Sequence, residues 1–340
     1  MSTAKLHSHS SDKTSLRGQL LASRSQHKEM SMNQLPNKVT VIIPSYNHRD
    51  YVVQAIESVL HQDWLNIELI VIDNNSSDGS IDLIRQHNAK NPHYQFLVNE
   101  QQGLISSLNL GLELASGDYF CELASDDWLP VNSIQERVAY LAAHPNQTAV
   151  FTNAYTVDQH TVTDRLILRD KHKAPFYKPD ILPDLINCNG PFFATGLIKT
   201  SALRKAGGFN SDLRYYEDLD TPIRIALQGP MGFLDQPLFY RRSHGSNTST
   251  STHHIRKEKV IFYQSLLGIT GLQPYNNLIK QRLKKSISAY GKHLSQQTTV
   301  HKSDADHFFS LNKYASANPK HLLRSALIYW RSKQTLNRQM

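Results

Sequence analysis

Val39-Thr40-Val41-Ile42-Ile43-Pro44 and, further on, Ile67 to Ile72 followed by Asp73-Asn74-Asn75-Ser76 decide the fold class. Each is a short β-branched or aliphatic run stopped by proline or by short polar residues, the pattern of a buried strand with a turn at its carboxyl end. Between them Val52, Ile56, Val59 and Leu60 recur at helical spacing. The alternation continues outward. A helix starts near Ser77–Gly79 and carries Ile81 and Ile84; Gln95 to Val98 reads as a third strand; Leu104, Leu108 and Leu112 mark a helix broken near Gly117; Tyr119 to Leu123 is a fourth strand. Strands alternating with helices of this length build βαβ units and a mostly parallel sheet. Ligands bind such sheets beyond the carboxyl ends of the strands, where the polar loops 44–48, 73–78 and 124–128 fall.

The rest of the 340 residues divides by character. Residues 1–37 are rich in Ser, His, Gln and Lys and are expected to be disordered or weakly ordered. Residues 38–250 form the α/β domain; within them 146–250 is less periodic, with a strand at Ala149-Val150-Phe151 and a helix near Asp218–Leu227. Residues 251–340 form a basic, helical extension, with helices expected over 255–294 and 320–335 and a mostly polar stretch, 295–319, between them. The net charge of +8 is unevenly spread: the extension holds fifteen Lys/Arg against three Asp/Glu, whereas 38–250 carries a net −7. The basic tail points to an anionic surface. No readout motif of a nucleic-acid-binding fold is present, so nucleic acid is not an expected partner. Cys121 and Cys188 stand in no metal-ligand spacing and read as reduced, buried thiols. No apolar run is long enough to span a bilayer and the N-terminus lacks the apolar stretch of a signal peptide, so a cytoplasmic location is expected.

Four segments carry candidate chemistry. Ser125-Asp126-Asp127-Trp128 follows a strand directly. Adjacent carboxylates repel, and a divalent cation relieves them by accepting oxygen ligands; an exposed turn or cap before Pro130 accommodates the pair equally. Asp73-Asn74-Asn75-Ser76-Ser77-Asp78-Gly79 offers short acceptors to a base or ribose, and suits a plain turn and helix cap as well. Tyr215-Tyr216-Glu217-Asp218-Leu219-Asp220 could hold a general base, since partial burial raises a carboxyl pKa towards neutrality, or could be a solvated first helical turn. Tyr240-Arg241-Arg242-Ser243-His244 gathers two cations suited to a diphosphate and an imidazole suited to a metal, or is a basic loop leading to the tail.

The order and intervals of these segments resemble the large family 2 of inverting glycosyltransferases, with the GT-A fold. The resemblance covers about Val39 to Asn247 and rests on Val41-Ile42-Ile43-Pro44-Ser45-Tyr46-Asn47, Ile56 to Gln62, Val71 to Ser80, Gly103, Asn109, Gly111, Ser116-Gly117-Asp118-Tyr119, Ser125-Asp126-Asp127, Gly207-Gly208-Phe209, Glu217 to Asp220 and Tyr240 to His244. Ala124 stands where many members carry Asp, Asn74 where many carry a second Asp, and Leu108 where Arg is common. The resemblance implies a nucleotide-sugar donor, UDP- or dTDP-linked, and a glycan or lipid-linked acceptor in surface polysaccharide assembly. It also implies site roles. Pro44, Tyr46, Asp73, Asn74, Gly103 and Asp126 would frame the donor. Asp127, with His244, would bind Mn²⁺ or Mg²⁺. Asp218 would be the catalytic base, with Glu217 the alternative. The rival readings are a sugar-nucleotide-binding scaffold without activity and a nucleotidyltransferase on a similar fold.

In the tail, a helix from 321 puts Leu323, Ala326, Leu327 and Trp330 on one face and Arg324 and Arg331 away from it. Such a helix either lies in a membrane interface, at the inner face of the membrane, or packs its apolar stripe on the catalytic domain.

Overall fold

A computed structural model describes residues 37–101, 103–158, 161–243, 252–314 and 319–337. Residues 1–36 of the N-terminal segment, expected to lack stable order, and His244, expected near the metal, lie outside the described residues.

The strands are β1 (Val39–Ser45), β2 (Ile67–Asp73), β3 (Gln95–Val98), β4 (Tyr119–Glu122), β5 (Ala149–Asp158), β6 (Thr161–Leu166), β7 (Leu197–Lys199) and β8 (Met231–Ser243). They form one sheet in the order β3-β2-β1-β4-β7-β5-β6, with β8 along the remaining edge of β5. Pairings β1–β2, β1–β4, β2–β3 and β5–β8 are parallel, while β7 runs antiparallel to β4 and β5. This is the mostly parallel α/β sheet that the alternation of strands and helices implies.

Every residue of β1 is buried. Ile42 enters one core while Val39, Val41 and Ile43 enter the other. A strand covered on both faces must be largely apolar on both, and the buried Thr40 within the run donates to Glu68 Oε2 at 2.6 Å. The helices Val52–Leu60 and Ser133–Ala143 supply the second core. The first core takes Leu108 and Leu112 from Leu104–Leu114, and Ile223 and Ile225 from Glu217–Ala226. Leu108 is fully buried there, and an arginine at that position would have to find partners in an apolar layer.

The tail departs from its expected layout in two places. The helix expected over 255–294 is two helices, Thr252–Leu266 and Asn276–Leu294. Gly271, at φ 95°, and Pro274 lie between them; a left-handed glycine and a ring without an N–H cannot continue an α-helix. The stretch 295–319 contains the helix Lys302–Ser310, whose fully buried Phe308 lies against Gly291 so closely that a Cβ there would come within 2.6 Å of its ring.

These helices share the first core of the α/β domain through Val260, Phe262, Leu266, Ile279 and Leu283. Phe262 is fully buried and stacks on Tyr216 at 5.4 Å between centroids. From the same helix Glu258 accepts hydrogen bonds from the amides of Arg214, at 2.8 Å, and Tyr215. The extension therefore braces the segment that leads into Glu217-Asp218. Phe262→Ala is expected to cost about 3–5 kcal/mol, the usual result of emptying a buried aromatic site; urea unfolding followed by fluorescence and circular dichroism measures it. Among the described residues no helix is long and apolar enough to cross a membrane.

Candidate active site

Polar loops follow the carboxyl ends of β1, β2 and β4, and the last described residues of β8 reach the one after β4. Those after β1 and β2 are laced together. The Asn47 amide donates to Ser76 Oγ at 2.8 Å, the Ser77 amide to Asn47 Oδ1 at 2.9 Å, and the Arg49 amide to Asp78 Oδ2 at 2.9 Å. Asn47 and Asn75 hold φ of 53° and 62°, a left-handed conformation that asparagine tolerates better than most residues. Ser45 Oγ is buried at the end of β1 and has no hydrogen-bond partner, while the next residue, Tyr46, is 54% exposed.

Asp73 is fully buried and closes its own turn: Oδ1 accepts from the Ser76 amide at 2.7 Å and Oδ2 from Ser76 Oγ at 2.8 Å. Asn74 Oδ1 accepts from Ser107 Oγ at 2.7 Å and from the Gly103 amide at 3.3 Å. Gly103 has φ 141°, which a side chain would strain. The buried Asp73 and Asn74, with the amide of the exposed Gly103, thus brace the loop. Their polar atoms are largely spent on protein, whereas Tyr46 presents an open aromatic face.

Asp126 and Asp127 follow β4 and are both buried. Arg242, only 3% exposed near the end of β8, organises them. Its amide donates to Asp127 Oδ1 at 2.7 Å, its Nε to the Asp126 carbonyl at 2.9 Å and its Nη2 to Gln54 Oε1 at 2.6 Å. The guanidinium lies over the rings of Tyr51 at 4.5 Å and Trp128 at 4.7 Å. Trp128 and Tyr240 exchange backbone hydrogen bonds and stack at 5.1 Å. His48 joins from the β1 loop, with Nδ1 2.8 Å from Ser125 Oγ and 3.9 Å from Asp126 Oδ1. Burial, then the charge of Asp126, raises the Asp127 carboxyl well above the ordinary range, and the Arg242 amide only partly offsets this. Among the described residues no group of three His, Cys, Asp or Glu could hold a metal by itself. One or two carboxylates completed by phosphate oxygens are nonetheless a donor set that Mg²⁺ commonly accepts, and a carboxyl raised by burial beside another gains from a cation.

A second acidic group is built from two elements. Glu217 and Asp218 open the helix Glu217–Ala226, and Glu122 ends β4. Asp218 is exposed to solvent, yet the protein around it partly desolvates its carboxyl and pushes it up to about 6. Glu217 is deeper, with Oε2 buried and without a hydrogen-bond partner; burial first, and the charge of Asp218 second, push it up to about 9. Glu122 rises to about 7 for the same two reasons. Near pH 7 Asp218 is therefore mostly ionised and Glu217 protonated, so of the two only Asp218 is ready to accept a proton. Asp220 is fully buried and bound by Arg224, at 2.6 Å to Nη2 and 2.7 Å to Nε, while Arg224 also donates to the carbonyls of Ala206 and Gly208. It ties the helix to the Gly207-Gly208-Phe209 loop, which Asn109 clamps by paired hydrogen bonds of 2.8 and 2.9 Å to Phe209.

Sequence reasoning singled out most of these loops, but missed His48, Gln54, Glu122 and the aromatic bed of Arg242. His48 lies one residue beyond the motif after β1, which was the available signal. The rest come from elements distant in sequence. Of the two cations expected to face a diphosphate, Arg242 is committed to protein, and Arg241 is half-buried over Phe192 at 5.6 Å.

Residues 40–205 match the family described as Glycosyl transferase family 2. The chain is 31% identical over 219 residues to EpsE of Bacillus subtilis, a protein named as a glycosyltransferase; the match uses 62% of this chain and 74% of that one. It is 24% identical over 220 residues to a chondroitin synthase of Escherichia coli, using 65% of this chain but spanning only 31% of that longer protein. Among solved structures, S. aureus TarS (residues 1–349) in complex with UDP-GlcNAc superposes with a TM-score of 0.60 at 16% identity, covering 82% of this chain and 80% of TarS. That likeness concerns the fold.

Proposed function

Because the chain belongs to glycosyl transferase family 2 and is a glycosyltransferase, we propose that it moves a sugar from a UDP- or dTDP-linked donor to a hydroxyl of a glycan or lipid-linked acceptor. The reaction inverts the anomeric centre, and the setting is surface polysaccharide synthesis on the cytoplasmic side of the membrane. The observation that carries this reading is the separation of two acidic groups onto different loops. Asp126-Asp127 follows β4 under Arg242, and Glu217-Asp218 opens a helix braced by the C-terminal extension. Transfer to a hydroxyl needs both, one facing the departing diphosphate and one facing the acceptor.

In this reading Pro44, Tyr46, Asp73, Asn74 and Gly103 frame the nucleoside. Tyr46 packs on the base with its exposed ring, and the brace of buried Asp73 and Asn74 with the Gly103 amide sets the loop beneath it. Asp126 lies towards the ribose. Asp127, with His244 as a further candidate, would hold Mn²⁺ or Mg²⁺, and charge on the leaving diphosphate is what that cation would offset when bound. Asp218 takes the proton of the acceptor hydroxyl, whose oxygen forms the new bond to the anomeric carbon as the bond to the diphosphate breaks on the opposite face. A single displacement of this kind inverts configuration. A uridine donor is in keeping with the UDP-GlcNAc held by TarS.

The test is a thermal-shift screen of nucleoside diphosphates and their sugars with and without Mn²⁺, followed by product analysis. A ligand at about a hundred times its dissociation constant stabilises by about 2.7 kcal/mol. A shift with UDP or dTDP and their sugars in Mn²⁺, with release of nucleoside diphosphate on turnover, is the expected result. Release of pyrophosphate would make the protein a nucleotidyltransferase; donor binding without turnover of any acceptor or of the donor itself would leave a scaffold.

A further inference from the structure

The helix Pro319–Asn337 turns its apolar stripe outward. Leu323 is 71% exposed, Trp330 55% and Tyr329 52%, and Ala326 on the same side is exposed as well, while Leu327 is partly covered. The helix is held by its opposite side. Ile328 is fully buried, Arg324 Nη1 donates to Ser288 O and Oγ at 3.2 and 3.0 Å, and Arg331 Nη1 donates to the carbonyls of Ser295 and Gln297. Arginines on the flank thus anchor the helix on Asn276–Leu294 and on the turn that follows it, and Leu323 and Trp330 are left facing solvent. That outcome is the reverse of a stripe packed on the catalytic domain.

What surrounds the stripe is cationic. On Asn276–Leu294 the serine that receives Arg324, Ser288, lies on the same exposed side as Lys284, Lys285 and Lys292, which are themselves exposed. From Asn276 to Asn337 the sequence has two acids, Asp304 and Asp306. Asp304 is already taken by Lys257 at 2.7 Å and His253 at 3.3 Å. The α/β domain, by contrast, is net negative. An outward face of leucine, tyrosine and tryptophan beside a lysine stripe with almost no acids fits the interface of an anionic bilayer. The apolar side chains enter the headgroup boundary, the tryptophan sits at its level, and the lysines meet the lipid phosphates.

We propose that this helix face, with Lys284, Lys285 and Lys292, docks the enzyme on an anionic lipid surface. This names the surface behind the peripheral-membrane part of the proposed function and needs no particular donor or acceptor.

Vesicle flotation of the full chain tests it, with phosphatidylcholine alone and with one part in three phosphatidylglycerol. The expected result is recovery with the anionic vesicles only, reduced by high salt. Leu323→Glu/Trp330→Glu should lower the apparent affinity by about tenfold or more, since two apolar side chains lose burial. Lys284→Glu/Lys285→Glu/Lys292→Glu should remove the dependence on anionic lipid. All five positions are exposed, so thermal unfolding and circular dichroism should match the wild type and show that the variants are folded. Failure of the wild type to float, or equal flotation of the Leu323/Trp330 variant, overturns the proposal while leaving the transferase reading intact. So does wild-type self-association in sedimentation velocity that the Leu323/Trp330 variant abolishes in the absence of vesicle binding, because the face would then pair two copies.

Discussion

Asp218→Asn should slow single-turnover transfer by about 10²–10⁴-fold, the usual consequence of removing a general base, with donor affinity unchanged. The substitution keeps shape and volume and removes only the proton acceptor. Asp218 stands on a different element from Asp126 and Asp127, so the donor side should not register its loss. Glu217→Gln is the informative partner. With its carboxyl pushed up to about 9, Glu217 is already protonated near neutrality, and its amide should retain most of the activity. The sign of the pH dependence follows from Asp218 at about 6. Above that pH the base is ionised and the rate levels off; below it the rate should fall about tenfold per unit as the base takes up its proton. Rapid-quench kinetics across pH 5–8, with donor titration by calorimetry, reads all three expectations. Near-normal transfer by Asp218→Asn would falsify the assignment, and a product with the donor's anomeric configuration, read by NMR, would rule out single displacement.

Asp127→Asn should weaken donor binding in Mn²⁺ by about a hundredfold or more, since even outer-shell changes at metal sites cost about 10–100-fold. Asparagine is chosen because its Oδ1 can still accept the Arg242 amide, so the loop between β4 and the helix Ser133–Ala143 keeps its anchor while the charge goes. Alanine would remove both at once. An acidic domain and an anionic diphosphate cannot approach without a cation between them. The wild type in EDTA should therefore behave as the variant does in Mn²⁺, and the variant should be indifferent to EDTA. Calorimetry of UDP- and dTDP-sugars under the two conditions decides it; undiminished wild-type binding in EDTA would sink the metal requirement. Circular dichroism of the variant should be unchanged, because Arg242 remains between Tyr51 and Trp128.

The part of the fold legible in sequence is the part whose contacts repeat locally. Val39–Ile43 and Ile67–Ile72 are largely apolar runs, interrupted by Thr40 and Glu68, because β1 and most of β2 are buried on both faces, and the intervening helix shows its inward side at i, i+3 and i+4. Periodicity is weak beyond residue 146. There β7 has three residues, and β8 carries Pro237 at a shift in register against Asn153 and Asp235 on an exposed stretch. Short or irregular strands leave too few repeats to recognise. The break between the two tail helices was signalled by Gly271 and Pro274, but an amphipathic pattern continuing on both sides of it obscures a turn.

The candidate site divides along the same line. Residue type and order alone bring forward Asp126-Asp127, Glu217-Asp218 and the loops after β1 and β2, because a carboxylate pair or a run of short polar residues after a strand is local chemistry. Which carboxyl is ionised depends on everything around it in space. Glu217 and Asp218 are neighbours in sequence, yet Glu217 buries an Oε2 that has no hydrogen-bond partner while Asp218 is exposed, so their proton affinities diverge. The clamp of Arg242 on Asp127 joins residues 115 apart, and the face of Pro319–Asn337 that meets solvent was set by Arg324 and Arg331 reaching the neighbouring helix. Sequence by itself determined the elements and the chemical groups available; burial and long-range pairing, which exist only once the chain is folded, decided the state and direction of each.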